Sequence, residues 1–160
     1  MRLIQNAGHD RVIDLLNERM KPNHQLACAS PALSLFAFSE LSKSLAQLRK
    51  VQLILPSGSD SLELLGGEAD RAARNHLLAR SLARRCYQWL NAKVELKRAS
   101  SVIPQGIGLL RDAAGTPDQV VMGSFALTTD GLGITPGDPM SLIQASESPQ
   151  EAAMFAPWFD

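Results

Sequence analysis

The stretch that decides the fold is residues 105–126, which reads QGIGLLRDAAGTPDQVVMGSFA. Its two short apolar runs, Gly106–Leu110 and Gln119–Met122, have the length and the flanking turn residues of buried strands. The segment between them, Asp112–Pro117, contains Asp, Gly and Pro, which favour turns. The sequence therefore predicts two strands joined by a turn.

Outside this stretch, helical and extended patterns alternate along the chain. Helices are predicted after Asp10, which would cap the first, over residues 33–50 and 68–91, and after Ser148, where Pro149 and Glu151 form a capping-box pattern. Further strands are predicted over residues 25–30, 51–55, 94–98 and 141–145. This order predicts an α/β fold with a mixed sheet flanked by helices on both faces.

The long helix predicted over residues 68–91 has two apolar stripes. We expect the first, which is mostly small, to pack closely on the sheet. It contains Ala69, Ala72, Ala73, His76, Ala79, Ala83, Cys86, Tyr87 and Leu90. The second stripe contains Leu78, Leu82 and Trp89, and a single core does not account for it. This stripe could contact another subunit, another domain or a folded-over loop of the chain, so these three residues are interface candidates.

Length and composition are those of one globular domain over residues 1–160. Hydrophobic residues make up 45% of the chain and charged residues 20%. No apolar run is long enough to cross a bilayer, and the first residues lack the apolar core of a signal peptide. We therefore expect a cytoplasmic protein with no membrane partner. The formal net charge of zero gives no global support for nucleic-acid binding, although it is compatible with a local basic patch.

The cysteines and histidines have no metal-ligand spacing. Cys28 and Cys86 are far apart and are interpreted as small buried residues, and His9, His24 and His76 lie singly. No phosphate-binding loop and no Gly-x-Ser-x-Gly motif occurs. The sequence thus predicts no metal site and no cofactor.

Residues 105–126 also resemble the core motif of the phospholipase D superfamily. In that family a histidine, a lysine two positions later and an aspartate five positions beyond that precede a Gly-Ser-x-Asn turn. Asp112, Gly123 and Ser124 match this pattern. Gln105, Ile107 and Ala126 stand at the positions of the histidine, the lysine and the asparagine. The resemblance implies a single phospholipase D-like lobe. Because two such motifs meet across a two-fold axis in the family, one motif per chain implies a homodimer.

The three departures from the motif remove its chemistry. In the family, the histidine attacks phosphorus, while the lysine and the asparagine bind phosphate oxygens. A glutamine amide is not a nucleophile near neutral pH, and isoleucine cannot neutralise a phosphate charge. We therefore expect no catalysis. Asp112 is interpreted as a turn former and Gly123 as a requirement of backbone geometry. An active phosphodiesterase working as a homodimer stays as an alternative.

The surrounding sequence resembles an N-terminal module found ahead of bacterial Swi/Snf-type and related superfamily II helicases. The resemblance is carried by residues 67–75, 83–85, 89–95, 103–106, 128–137 and 142–147. It implies that the chain is the N-terminal part of a longer ATP-binding DNA helicase, a hydrolase. No ATPase motif occurs within residues 1–160.

Two non-catalytic roles follow from this resemblance. As a binding module, the domain would contact DNA weakly and without sequence preference, since arginine suits phosphate. The candidate residues are Arg71, Arg74, Arg80, Arg84, Arg85, Lys97 and Arg98. As a protein–protein interaction module, it would dock the rest of the helicase chain or pair with itself through Leu78, Leu82 and Trp89.

Overall fold

Seven strands form one mixed sheet in the computed structural model, which describes residues 1–57 and 79–160. The strands are β1 (Arg2–Ile4), β2 (Gln25–Ala29), β3 (Lys50–Pro56), β4 (Val94–Ala99), β5 (Gly106–Arg111), β6 (Pro117–Gly123) and β7 (Ile143–Ala145). The helices are α1 (Val12–Arg19), α2 (Leu35–Gln47), α3 (Ala79–Lys93), α4 (Pro149–Ala153) and α5 (Ala156–Phe159).

The sheet has a parallel half and an antiparallel half. Its strand order is β1-β7-β6-β5-β2-β3-β4. The strands β2, β3 and β4 are parallel to one another, and all other neighbouring pairs are antiparallel. The predicted pair of strands around residues 112–117 is an antiparallel hairpin, in which Ile107 pairs with Met122 and Leu109 with Val120.

Helices cover both faces of the sheet, as the alternating pattern predicts. The larger core lies between the sheet and α1, α2 and α3, and includes Val12, Leu41 and Cys86. A smaller core lies on the opposite face, where Ala152, Ala156 and Phe159 of α4 and α5 pack on β2, β5 and β6. The predicted α/β fold with a mixed sheet flanked by helices is therefore confirmed.

The packing face of α3 differs from the prediction. Ala83 is exposed and Tyr87 is 67% exposed, so the prediction that both pack on the sheet is wrong. Cys86 of the same predicted stripe is buried, as expected, and Ala69, Ala72, Ala73 and His76 lie outside the described residues. Trp89 of the second stripe also points inward, and its ring lies 5.2 Å from the Phe38 ring of α2, centroid to centroid. Burying the large indole removes more apolar surface from water than burying an alanine, which favours this orientation.

The start of α1 also differs from the prediction. Asp10 does not cap the helix. The N-cap position is Arg11, whose side chain makes no cap bond, and the backbone N–H of Val12 donates instead to Asn6 Oδ1 at 3.0 Å. The Asp10 carboxylate accepts instead from the Arg2 guanidinium at 2.8 Å and from the Gln5 backbone N–H at 3.1 Å. These bonds, that of Arg2 first, lower the pKa of Asp10. At α4, by contrast, the predicted cap is confirmed, because Ser148 Oγ accepts from the Glu151 N–H at 3.3 Å.

Both cysteines lie in the interior, as the sequence predicts. Cys28 and Cys86 are free and buried, and burial raises the pKa of Cys28 to about 12 and that of Cys86 to about 11.

Among the helices of residues 1–57 and 79–160, none combines the length and the apolar character that crossing a membrane requires.

Replacing Asn6 by alanine tests the cap. Asn6 has a positive φ of 54°, and its Nδ2 donates to the Gly131 carbonyl at 3.0 Å. We expect Asn6→Ala to lower the free energy of unfolding by about 2 kcal/mol, because it removes a cap and a loop contact together. Asn6→Asp keeps the acceptor and should lose about half as much. The measurement is urea denaturation, with the exposed Asn91→Ala as the control. Equal effects of Asn6→Ala and Asn91→Ala would contradict the assignment.

Candidate functional site

A groove opens at the carboxyl ends of the parallel strands. There Ala29, the last residue of β2, pairs with Ile107, so the start of β5 lies beside the end of β2. Across the hairpin, Gly106 pairs with Gly123. Gln105 and Ser124 therefore flank the open end of the hairpin. Because open α/β sheets bind ligands beyond the carboxyl ends of their strands, this groove is the candidate site.

Two glycines set the backbone of the groove. A Cβ at Gly106 would overlap the Phe125 carbonyl oxygen and would lie 2.9 Å from the Phe125 ring. Gly123 has a φ of 130°, and a Cβ there would overlap the Leu142 carbonyl. Both positions thus require glycine. Because Gly106 has no side chain, the Phe125 ring packs over it, and Phe125 is only 3% exposed.

The chain after Phe125 is fixed to the junction between β2 and α2. The Leu127 N–H donates to the buried hydroxyl of Ser30 at 2.9 Å, and the Ser34 N–H donates to the Leu127 carbonyl at 2.8 Å. Ser30 in turn donates to the Ala32 carbonyl at 2.6 Å. These bonds hold residues 124–127 as one wall of the groove.

The groove is open, has a volume of about 320 Å³ and is acidic. The polar groups that line it come from Gln105, Ser124, Thr128, Asp130, Asp138 and Ser141. Among the described residues, no lysine, arginine or histidine lines it. The Asp130 carboxylate accepts from the Thr128 hydroxyl at 2.7 Å and from the Gly131 N–H at 2.9 Å, so it is fixed in place. The described part of the lining thus offers hydrogen-bonding groups and negative charge, and it gives a phosphate no cation.

The motif residues separate into two groups. Gln105, Ser124 and Ala126 line the groove. Ile107 is 8% exposed and belongs to the smaller core, where a charged side chain would have no aqueous contact.

Asp112 lies at the far end of the hairpin. Its Oδ1 accepts from the Ala114 and Thr116 N–H groups, both at 2.9 Å. Asp112 follows Gln105 by seven positions of extended chain, a distance of about 23 Å. Asp112 therefore acts as the turn former that the sequence suggested, remote from the groove.

The basic residues lie on a different surface. Arg80, Arg84 and Tyr87 share the outer face of α3, since positions separated by three, four or seven residues fall on one side of a helix. Arg85 is exposed and its Nη2 approaches Ser42 Oγ at 3.5 Å. On β4, Lys97 Nζ lies 3.4 Å from Glu95, and Arg98 donates to the Pro56 carbonyl at 3.1 Å. The candidates Arg71, Arg74 and Leu78 fall outside the described residues.

The structure changes the interpretation of Tyr87 and of Trp89. Tyr87 was missed as a candidate, although its spacing from Arg80 and Arg84 is visible in the sequence, because the packing face of the helix was assigned wrongly. Trp89, a candidate for an interface, packs against Phe38 inside the chain. Leu82 is partly buried.

No family model matches the chain, and no curated protein matches it either. The resemblance to phospholipase D therefore stays a prediction from residues 105–126. Within residues 1–57 and 79–160, no group of three His, Cys, Asp or Glu side chains is placed to hold a metal ion.

Adding a methyl group at Gly106 tests the close approach of Phe125. We expect Gly106→Ala to destabilise the protein by about 3 kcal/mol, because the new Cβ must displace a backbone carbonyl. Gly108→Ala in the same strand is the matched control: its Cβ would meet Val121 at 3.4 Å, an ordinary contact. Thermal and urea unfolding measure both. The interpretation fails if Gly106→Ala is as stable as Gly108→Ala.

Proposed function

We propose that this chain is a non-catalytic phospholipase D-like accessory domain of an ATP-dependent DNA helicase or translocase, in which it assists DNA binding. The observation that carries the proposal is the groove itself. Gln105 and Ser124 flank the open end of one hairpin, where the family's reacting groups would stand, and the groove lining contributed by residues 1–57 and 79–160 provides neither a nucleophilic histidine nor a cation.

Phosphodiester cleavage by the family's route needs both of these groups. A covalent intermediate requires a nucleophile that an amide cannot supply, and the charge that develops on phosphorus requires nearby donors or cations. The carboxylates of Asp130 and Asp138 would instead repel a phosphate. These features favour a role without catalysis over an active phosphodiesterase.

The outer face of α3 is better suited to a nucleic-acid backbone. Because α3 leads directly into β4 at Lys93–Val94, its amino end with Arg80 points toward the same end of the sheet as the groove. Arg98, near the end of β4, also lies toward that end. Arginine donates two parallel hydrogen bonds to phosphate, and an exposed tyrosine such as Tyr87 can stack on a base. These residues are the proposed DNA contacts.

The same proposal assigns the domain to the cytoplasm, beside the rest of the helicase chain, with no cofactor of its own. Docking to that chain or formation of a homodimer would have to use a surface other than Trp89, since Trp89 packs against Phe38.

Removing the two outer arginines tests DNA binding. We expect the chain to bind a short duplex weakly at low salt, with no sequence preference. In Arg80→Gln/Arg84→Gln, the slope of log K against log salt should fall by about 2, one for each lost phosphate contact. Fluorescence anisotropy measures both slopes. The control is Arg19→Gln, because Arg19 pairs with Asp118 at 3.6 Å and lies on another helix. If the slope falls equally in the double variant and in Arg19→Gln, the outer face of α3 is excluded as the DNA-binding surface.

An assay with bis-p-nitrophenyl phosphate tests the absence of catalysis. We expect no turnover above buffer, with or without a divalent metal ion, because Gln105 cannot attack phosphorus. The comparison variants are Ser124→Ala in the groove and Asp112→Ala at the distant turn. Turnover by the wild type that either variant abolishes would contradict the proposal and favour the active phosphodiesterase.

A further inference from the structure

A second cavity lies at the opposite end of the sheet from the groove, beside the amino ends of β2 and β3. Its volume is about 190 Å³. Gln25 pairs with Lys50 on one side and with Arg111 on the other, so these three side chains form one row on the same face of the sheet. The next row contains Gln52, Ala27 and Leu109. Because the Ala27 side chain is short, it leaves room above the sheet between the longer residues around it.

The lining of this cavity is rich in hydrogen-bond donors. Arg111 and Lys50 supply a guanidinium and an ammonium group, and Gln25 and Gln52 supply two side-chain amides. None of the hydrogen bonds found within residues 1–57 and 79–160 uses either amide. Gln25 Nε2 lies close to Gly115, where a Cβ would meet it at 3.4 Å. The four side chains thus present cations and amide donors to one space.

The Arg111 side chain is fixed by two hydrogen bonds. Its side chain is 18% exposed, and its Nη1 donates to the Gly115 carbonyl at 3.4 Å. Its Nη2 donates to the Asp160 carboxylate at 2.8 Å. Asp160 is 67% exposed, so this carboxylate reaches the guanidinium from the solvent side of the cavity.

Lys50 is less firmly paired. Its Nζ lies 3.6 Å from Glu95, and Glu95 also contacts Lys97 at 3.4 Å. Exposed ion pairs of this length contribute little, so the ammonium group is available to another anion. The lining itself contains two cations, Lys50 and Arg111, and one carboxylate, that of Asp160.

We propose that this anion cavity, formed by Gln25, Lys50, Gln52, Arg111 and Gly115, binds an anionic oxygen group of the phosphate or carboxylate type. The planar fork of Arg111 matches both groups, and the amides of Gln25 and Gln52 complete the set of donors. The Asp160 carboxylate already engages one arm of the fork. An external anion therefore competes with Asp160, which sets the affinity of the cavity.

An NMR titration with inorganic phosphate, at an ionic strength kept constant with chloride, tests the proposal. We expect saturable shifts of the Gln25 and Gln52 side-chain amides and of the Gly115 N–H. A parallel titration with acetate identifies which oxygen anion the cavity prefers. Asp160→Asn should tighten binding by about threefold or more, since it removes the competing charge. If neither anion gives saturable shifts in the wild type and in Asp160→Asn, the proposal is wrong.

Three further variants assign the binding to the cavity. Lys50→Gln should weaken phosphate binding by about tenfold, and Arg111→Gln by at least as much. Because Lys50 is 56% exposed, its replacement leaves the fold intact even if the loss of Arg111 does not. Lys43→Gln, at an exposed position on α2, is the matched control and should bind as the wild type does. Equal affinities of Lys50→Gln and Lys43→Gln would overturn the assignment.

The cavity is independent of the proposed DNA-binding surface. Arg80→Gln/Arg84→Gln should therefore bind phosphate as the wild type does, whatever happens to its DNA binding. A loss of phosphate binding in this double variant would show that the shifts come from general charge and would exclude the cavity.

Discussion

The contact of Phe125 with Gly106 sets the path of the chain as it leaves the hairpin. Burial of a phenylalanine contributes about 2 kcal/mol, and here it is possible only because position 106 has no side chain. The Phe125 N–H donates to the Gly123 carbonyl at 2.8 Å, so the chain turns tightly as it leaves β6. The turn carries Leu127 to the Ser30 hydroxyl. The groove exists because of this path.

The two ends of the sheet differ in charge, and this difference decides where an anion can bind. Asp130 and Asp138 line the groove at the carboxyl ends of the parallel strands, whereas Lys50 and Arg111, together with the carboxylate of Asp160, line the cavity at the amino ends. Two unit charges 4 Å apart near a protein surface interact by about 4 kcal/mol. The two carboxylates of the groove would therefore repel a phosphate where the family motif would lead one to expect it, whereas the two cations of the proposed anion cavity would attract one.

The hairpin and the alternation of helices and strands could be predicted because both depend on local pattern. The strand β1 could not, since Arg2–Ile4 is too short to show a period and pairs with β7 far along the chain. The cap of α1 depends on Asn6, which a contact with Gly131 helps to hold. The inward face of α3 depends on Phe38 of α2. For the candidate site, the meeting of Gln105 and Ser124 follows from antiparallel pairing, whereas the acidic lining comes from a loop whose path the sequence does not reveal.

The positions that match the phospholipase D motif are those that the hairpin needs for its own geometry. Asp112 closes the turn through two N–H groups, Gly123 adopts a positive φ, and the Ser124 N–H donates to the Leu142 carbonyl at 2.9 Å. Two of the three positions that depart from it, Gln105 and Ala126, lie in the groove lining, and the third, Ile107, lies in the smaller core. Each match is therefore explained by a backbone bond or angle of this hairpin.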